Sequence, residues 1–227
     1  MHLMASCDQT LLKPADTHPV MLGSLLPPMG VKLLNFSPGP TSLAAEVEAG
    51  IKALFEAPRM CSMYLSHRSP EFLEILANVV QRCRTAMQIP EQYEILFMHG
   101  GGHGQFAAVP LNLCPTGNEK VTYLVNGTWS KRALSEASKY CQPVVISSEQ
   151  SDGTFTRHPS FEDIDPQSRF VYLCSNETVN GIEMHRLPRL GIQAPLVVDA
   201  SSDFSTKPID WVGSNVGVLY ACASKNL

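Results

Sequence analysis

Lys225 stands behind a short apolar run, Val216-Gly217-Val218-Leu219-Tyr220-Ala221, next to the small residues Ala223 and Ser224. A lysine withdrawn from water gives up its charge more readily and becomes a nucleophile toward carbonyls. Other residues carry complementary chemistry. Gly100-Gly101-Gly102-His103-Gly104 follows the strand-like run Tyr93–Met98 and precedes a helix expected from Gln105. Glycines there let backbone N–H groups close on an anion at a helix N-terminus, and Gly102 and His103 are the candidates to hold one. Asp199 ends the run Leu196-Val197-Val198, where a buried carboxylate needs a cationic partner such as a protonated ring nitrogen. Trp129 opens a helix and could stack on a planar group, while the Thr178 hydroxyl, in Ser175-Asn176-Glu177-Thr178, could bond one.

Each feature has a plainer explanation when taken singly. A glycine run can be a tight turn between strand and helix, without a ligand. Asp199 can be an ordinary helix cap, Trp129 a core residue, and Thr178 a loop threonine bonded to its own backbone. Lys225 can be a solvated strand-end lysine. The glycine run is also neither a Walker P-loop nor a G-x-G-x-x-G dinucleotide turn.

The elements that must position these residues are regular from Asn35 onward. Thr41-Ser42 is a helix cap ahead of Leu43, Val47, Ile51 and Leu54 at helical spacing. Ser69-Pro70 opens a second helix with Leu73, Leu76, Val80, Cys83 and Met87 on one face. Val121–Val125 reads as a strand, Asn126-Gly127 as a turn, and Trp129–Tyr140 as a helix. Pro143–Ser147, Phe170–Cys174, Leu196–Asp199 and Val216–Ala221 are further short apolar runs. The pattern predicts an α/β fold: a mainly parallel sheet with helices on both faces and ligands at the C-terminal ends of its strands. Residues 1–33, broken by prolines, are expected to be a loosely ordered extension, with 34–227 forming the folded part.

Composition narrows the function. At 44% hydrophobic and 17% charged over 227 residues, the chain can bury a sizeable core. Its net charge of −4 argues against a nucleic-acid binder, which would carry a basic face. No run of roughly eighteen apolar residues predicts a membrane span. Seven cysteines, without C-x-x-C spacing, point to reduced thiols in a cytoplasmic setting rather than a disulfide framework or a metal site. A phosphate cradle, a carboxylate for a ring nitrogen, a stacking indole and a nucleophilic lysine together describe one cofactor, pyridoxal 5'-phosphate.

The order of the motifs adds a resemblance. "NFSPGP", "SHRSPEF", "GGGHGQFAAVPLNL", "SNETVNGI" and "KPIDW…GVLYACASKN" are similar to the successive signatures of the phosphoserine aminotransferases, class V pyridoxal-phosphate enzymes of fold type I. The resemblance covers 34–227. It implies that Lys225 is the Schiff-base lysine and proton shuttle, that Asp199 pairs with the ring nitrogen, and that Trp129 stacks on the ring. It implies that Thr178 bonds the ring hydroxyl, that Gly102, His103 and Ser224 hold the phosphate, and that His67 and Arg68 bind acidic substrate groups. Arginine suits that task because its fork matches a carboxylate or phosphate. Ser224 departs from the glutamine usual there, with a shorter reach, and His103 occupies a variable position that acts through its backbone.

The implied reaction is reversible amino transfer between glutamate and 3-phosphohydroxypyruvate, giving 2-oxoglutarate and O-phosphoserine in serine biosynthesis. A homodimer is implied for the full-length protein. Family members continue past the lysine, so the chain is expected to lack the small C-terminal domain and to be weakly active or inactive. Other readings are a serine–glyoxylate aminotransferase, a cysteine desulfurase, or a non-catalytic form that pairs with a full-length subunit. Ser224 stands where desulfurases commonly carry histidine.

Overall fold

The computed structural model describes residues 43–56 and 62–225. The expected N-terminal extension and the Thr41-Ser42 cap lie outside the described residues. Every described residue belongs to one unit, Pro38–Leu227.

Five parallel strands form the sheet: β1 (Lys120–Val125), β2 (Gln142–Ser147), β3 (Val171–Cys174), β6 (Leu196–Asp199) and β7 (Val216–Tyr220), in the order β2-β1-β3-β6-β7. Between β3 and β6 the chain makes a two-stranded antiparallel ladder, β4 (Asn176–Glu177) with β5 (Ile182–Glu183). The central strands bury nearly every residue, as the unbroken apolar runs demand of parallel strands covered on both faces. The order reverses around β1, because β2 lies on one side of it and β3 on the other. That places a crevice at the C-terminal strand ends.

The helices are α1 (Ala45–Glu56), α2 (Pro70–Ala86), α3 (Gly101–Leu113) and α4 (Thr128–Ala137). One face of the sheet is covered by α3 and α4, whose Phe106, Val109, Ala133 and Ala137 pack with Val121, Tyr123, Tyr172 and Val197. On the other face, Leu124, Val171, Leu173, Leu196 and Val198 meet Ile164, Met184, Phe161, Leu190 and Phe204 from the connections between strands. The end of α2 joins through Met87 and Ile89, which pack with Trp211 and Val216.

The expected cap of α2 is present: Ser69 Oγ accepts from the Phe72 N–H at 3.2 Å and Pro70 stands in the first turn. α4 is shorter than its pattern predicts, ending at Ala137, because Tyr140 and Cys141 both donate to the Ala137 carbonyl in a tightened turn before β2. α3 begins earlier than predicted, at Gly101 rather than Gln105. Gly100 adopts a left-handed conformation, φ 94°, so the chain turns at once and Gly104 N–H closes on the Gly100 carbonyl at 2.9 Å. The strand expected over 93–98 is not formed. Among the described residues no strand pairs with it, and Leu96, Phe97 and Met98 are exposed. Its anchor is a side chain instead: Tyr93 Oη donates to the Val216 carbonyl at 2.7 Å.

Candidate active site

A cavity of about 240 Å³ opens at the C-terminal ends of the strands, lined by Gly102, His103, Phe106, Trp129, Cys174, Asn176, Asp199, Ser201, Ser202, Cys222, Ser224 and Lys225. Six of the residues singled out in the sequence converge there: Gly102, His103, Trp129, Asp199, Ser224 and Lys225. They come from four separate places in the chain, the starts of α3 and α4, the end of β6 and the segment after β7, which explains why no single stretch of sequence reveals the pocket.

Asp199 is the last residue of β6, in register between Cys174 and Tyr220. It is buried, and its Oδ1 accepts from the Ser201 N–H at 2.9 Å. Burial raises its pKa above the ordinary carboxylate value, while hydrogen bonds from Ser201 and Tyr220 pull it back in part. Among the described residues no basic side chain pairs with it.

The two helix N-termini at the pocket are treated in opposite ways. At α4, Glu177 caps the first turn: Oε2 accepts from the Trp129 N–H at 2.8 Å and Oε1 from the Ser130 N–H at 2.6 Å. The Asn180 side chain takes the Thr128 N–H at 2.9 Å. At α3 the cap residue is glycine and supplies no side-chain acceptor, so the dipole end faces the cavity through Gly102 and His103. The Cys222 thiol lies over this end. Its pKa is lowered, first by the Ser224 side chain at 3.3 Å, then by the Ser224 and Gly102 backbones, against the opposing effect of burial.

Trp129 forms a wall of the cavity. Its indole N–H donates to Thr178 Oγ1 at 3.1 Å, the His103 ring stands edge-on at 5.9 Å, and the Arg132 guanidinium lies 5.0 Å from the ring centroid. Thr178 therefore touches the site through Trp129 and is not itself a lining residue. His103 contributes a side chain to the wall as well as its backbone.

The structure does not bring His67 and Arg68 to this cavity. Both are exposed in the turn before α2, where the Arg68 N–H donates to Ser66 Oγ. The sequence alone did not single out Phe106, Cys174, Asn176, Ser201, Ser202 or Cys222 as lining residues, and gave no task to Glu177. The signal for Ser201 and Ser202 is their position two and three residues after the strand-end Asp199. Glu177 had none, because its role depends on a helix nearly fifty residues away. Among the described residues no cluster of three or more histidine, cysteine, aspartate or glutamate side chains could hold a metal ion. No described helix is long and apolar enough to cross a membrane.

Relatives share this sequence pattern. The chain is 38% identical over 203 residues to phosphoserine aminotransferase 1, chloroplastic, of Arabidopsis thaliana, covering 86% of this chain and 46% of the relative. It is 40% identical over 205 residues to the phosphoserine aminotransferase of Albidiferax ferrireducens, covering 85% and 55%. Among solved structures, the pyridoxal-phosphate-bound phosphoserine aminotransferase of Trichomonas vaginalis superposes with a TM-score of 0.74 at 32% identity, covering 85% of this chain and 54% of that one. The enzyme of Bacillus circulans superposes at 0.75 and 31%, covering 85% and 54%. The chain thus spans about half the length of the curated relatives it matches. The family model of the class-V aminotransferases matches residues 33–227, which takes in the whole parallel sheet and every lining residue of the cavity, and the chain belongs to that family.

Proposed function

We propose phosphoserine aminotransferase chemistry for this chain, with pyridoxal 5'-phosphate as cofactor. The substrates would be L-glutamate and 3-phosphohydroxypyruvate, the products 2-oxoglutarate and O-phospho-L-serine, and the pathway serine biosynthesis. The observation that carries the reading is the shared cavity of Lys225, Asp199, Trp129 and the uncapped end of α3. The two curated relatives described above, at 38% and 40% identity, carry the same enzyme name. Structures named for other amino-group chemistry, such as pyridoxamine-pyruvate aminotransferase at 19% and alanine–glyoxylate aminotransferase at 15%, are similar in fold alone.

The residues present fit the cofactor on two counts. Asp199 is a buried carboxylate without a cationic partner among the described residues, which is what a pyridinium N–H would supply. The N–H groups at the start of α3 face the cavity without a carboxylate over them, which is what a phosphate requires. The cofactor, when bound, supplies an electron sink for charge developing at the substrate's Cα. Asp199 would hold the ring nitrogen protonated, and Trp129 would cover one ring face and exclude water from it. Thr178, placed behind the cavity lining with its Oγ1 accepting from the Trp129 indole, would bond the ring hydroxyl by turning its own O–H toward the cavity. Gly102 and His103, with Ser224, would anchor the phosphate. The Lys225 Nζ would form the covalent attachment and then carry a proton to and from Cα. His67 and Arg68 would meet substrate acidic groups only if the turn before α2 and the cavity share the site.

The same reading includes a cytoplasmic setting and a homodimer. The described cysteines are free thiols, and Val47, Ile51, Leu54 and Phe55 of α1 are exposed apolar side chains of the kind an interface covers.

The test is to add pyridoxal phosphate to the 227-residue chain, reduce with borohydride and map the labelled peptide. Label on Lys225, absent from Lys225→Ala, supports the cofactor reading; a folded chain labelled elsewhere or nowhere refutes it. Discharge of the visible band by glutamate or O-phosphoserine, and not by serine, alanine or cysteine, would support the substrate assignment, and the reverse preference would sink it.

A further inference from the structure

The Glu177 side chain is fully buried and placed where three donors of α4 converge. Besides the Trp129 and Ser130 N–H groups, it accepts from Ser130 Oγ at 2.7 Å. Its neighbour Thr178 takes the indole N–H of the same Trp129. Two consecutive residues therefore grip one tryptophan at both ends, Glu177 at the backbone and Thr178 at the ring. The short β4–β5 ladder fixes them, since Glu177 pairs with Ile182 and Asn180 and Gly181 donate back to the Glu177 carbonyl. Gly127 leaves the room: a side chain there would strike the carboxylate.

We propose that Glu177 is the positioning residue of the site: its carboxylate fixes the first turn of α4 and so sets the Trp129 indole as the wall of the cavity. The effect on cofactor binding rests on the pyridoxal-phosphate reading above. Glu177 lines no part of the cavity and acts only through Trp129. A buried carboxylate is costly unless its oxygens are satisfied, so its three donors tie the helix start and the ladder into one rigid piece. A glutamine at 177 would turn an amide N–H₂ toward donors and leave at least one unpaired.

The experiment labels the chain with 5-fluorotryptophan, which gives one ¹⁹F resonance each for Trp129 and Trp211. Glu177→Gln should shift or broaden the Trp129 line and leave that of Trp211 in place; global unfolding would move both. In parallel, pyridoxal phosphate is titrated into wild type, E177Q, W129A and the double variant. E177Q should weaken binding about tenfold when Trp129 is present and leave it unchanged in the Trp129→Ala background. An unmoved Trp129 line, or equal weakening in both backgrounds, overturns the proposal. If E177Q unfolds, Glu177→Asp, which keeps the carboxylate but draws it back, takes its place with the same expectations. If wild type binds no pyridoxal phosphate, the cofactor reading fails, and the ¹⁹F spectra still decide whether Glu177 positions Trp129.

Discussion

Gly127 and Glu177 lie closer than any side chain on the glycine would permit: a Cβ at 127 would meet the Glu177 Cγ and Cδ at 2.5 Å. The φ of Gly127 is 176°, extended backbone open to any residue, so the requirement is room. Gly127→Ala should therefore destabilise the chain by about 1–3 kcal/mol through overpacking. Urea unfolding measures it; a midpoint equal to wild type would mean that Glu177 can withdraw without loss.

Asp199 makes a prediction about stability and pH. Its pKa is raised in the folded chain, chiefly by burial. The folded state then binds more protons than the unfolded state between the ordinary aspartate value and the raised one. Its contribution to stability is present below that window, is lost as pH rises through it, and is flat above. Asp199→Asn escapes the loss, so without cofactor it should melt at or above the wild-type temperature at pH 7, by about 2–4 °C, and the gap should close in acid. Its affinity for pyridoxal phosphate should fall. Calorimetry at several pH values measures the first effect, and a D199N chain less stable than wild type at neutral pH would contradict the account.

Thiol chemistry should distinguish Cys222 from the core cysteines. The Cys222 pKa is lowered, by Ser224 first, whereas burial pushes Cys141 up to about 12 and Cys174 well above the usual thiol range. At pH 8, iodoacetamide should label Cys222 at least about tenfold faster than Cys141 or Cys174, because the thiolate is the reacting form. A phosphate-bearing ligand in the cavity should slow it. Peptide mapping by mass spectrometry reads both, and labelling of Cys222 no faster than of Cys174 would contradict the geometry.

Ser69 caps α2 through its side chain, with Pro70 and Glu71 behind it. Ser69→Ala should cost about 1 kcal/mol, visible as a lower urea midpoint with an unchanged slope. Ser69→Asp should restore most of it, and an equal loss in both variants would show that the cap contributes little.

Much of this protein is determined by sequence alone. Apolar runs such as Leu196–Asp199 favour buried parallel strands, and Ser69-Pro70 favours a helix start; both are local consequences of side-chain size, branching and hydrogen bonding. Strand-end positions also betray Asp199 and Lys225, because ligands collect there. Other features depend on partners distant in the chain. The run 93–98 has every local preference of a strand and no strand beside it among the described residues, so it stays unpaired. Glu177 looks like one more loop carboxylate until β3 and α4 are brought together, when it becomes the cap of a helix beginning at Thr128. A helix end is neutralised by whatever acceptor the tertiary structure places over it. That difference left α3 open toward the cavity and α4 closed.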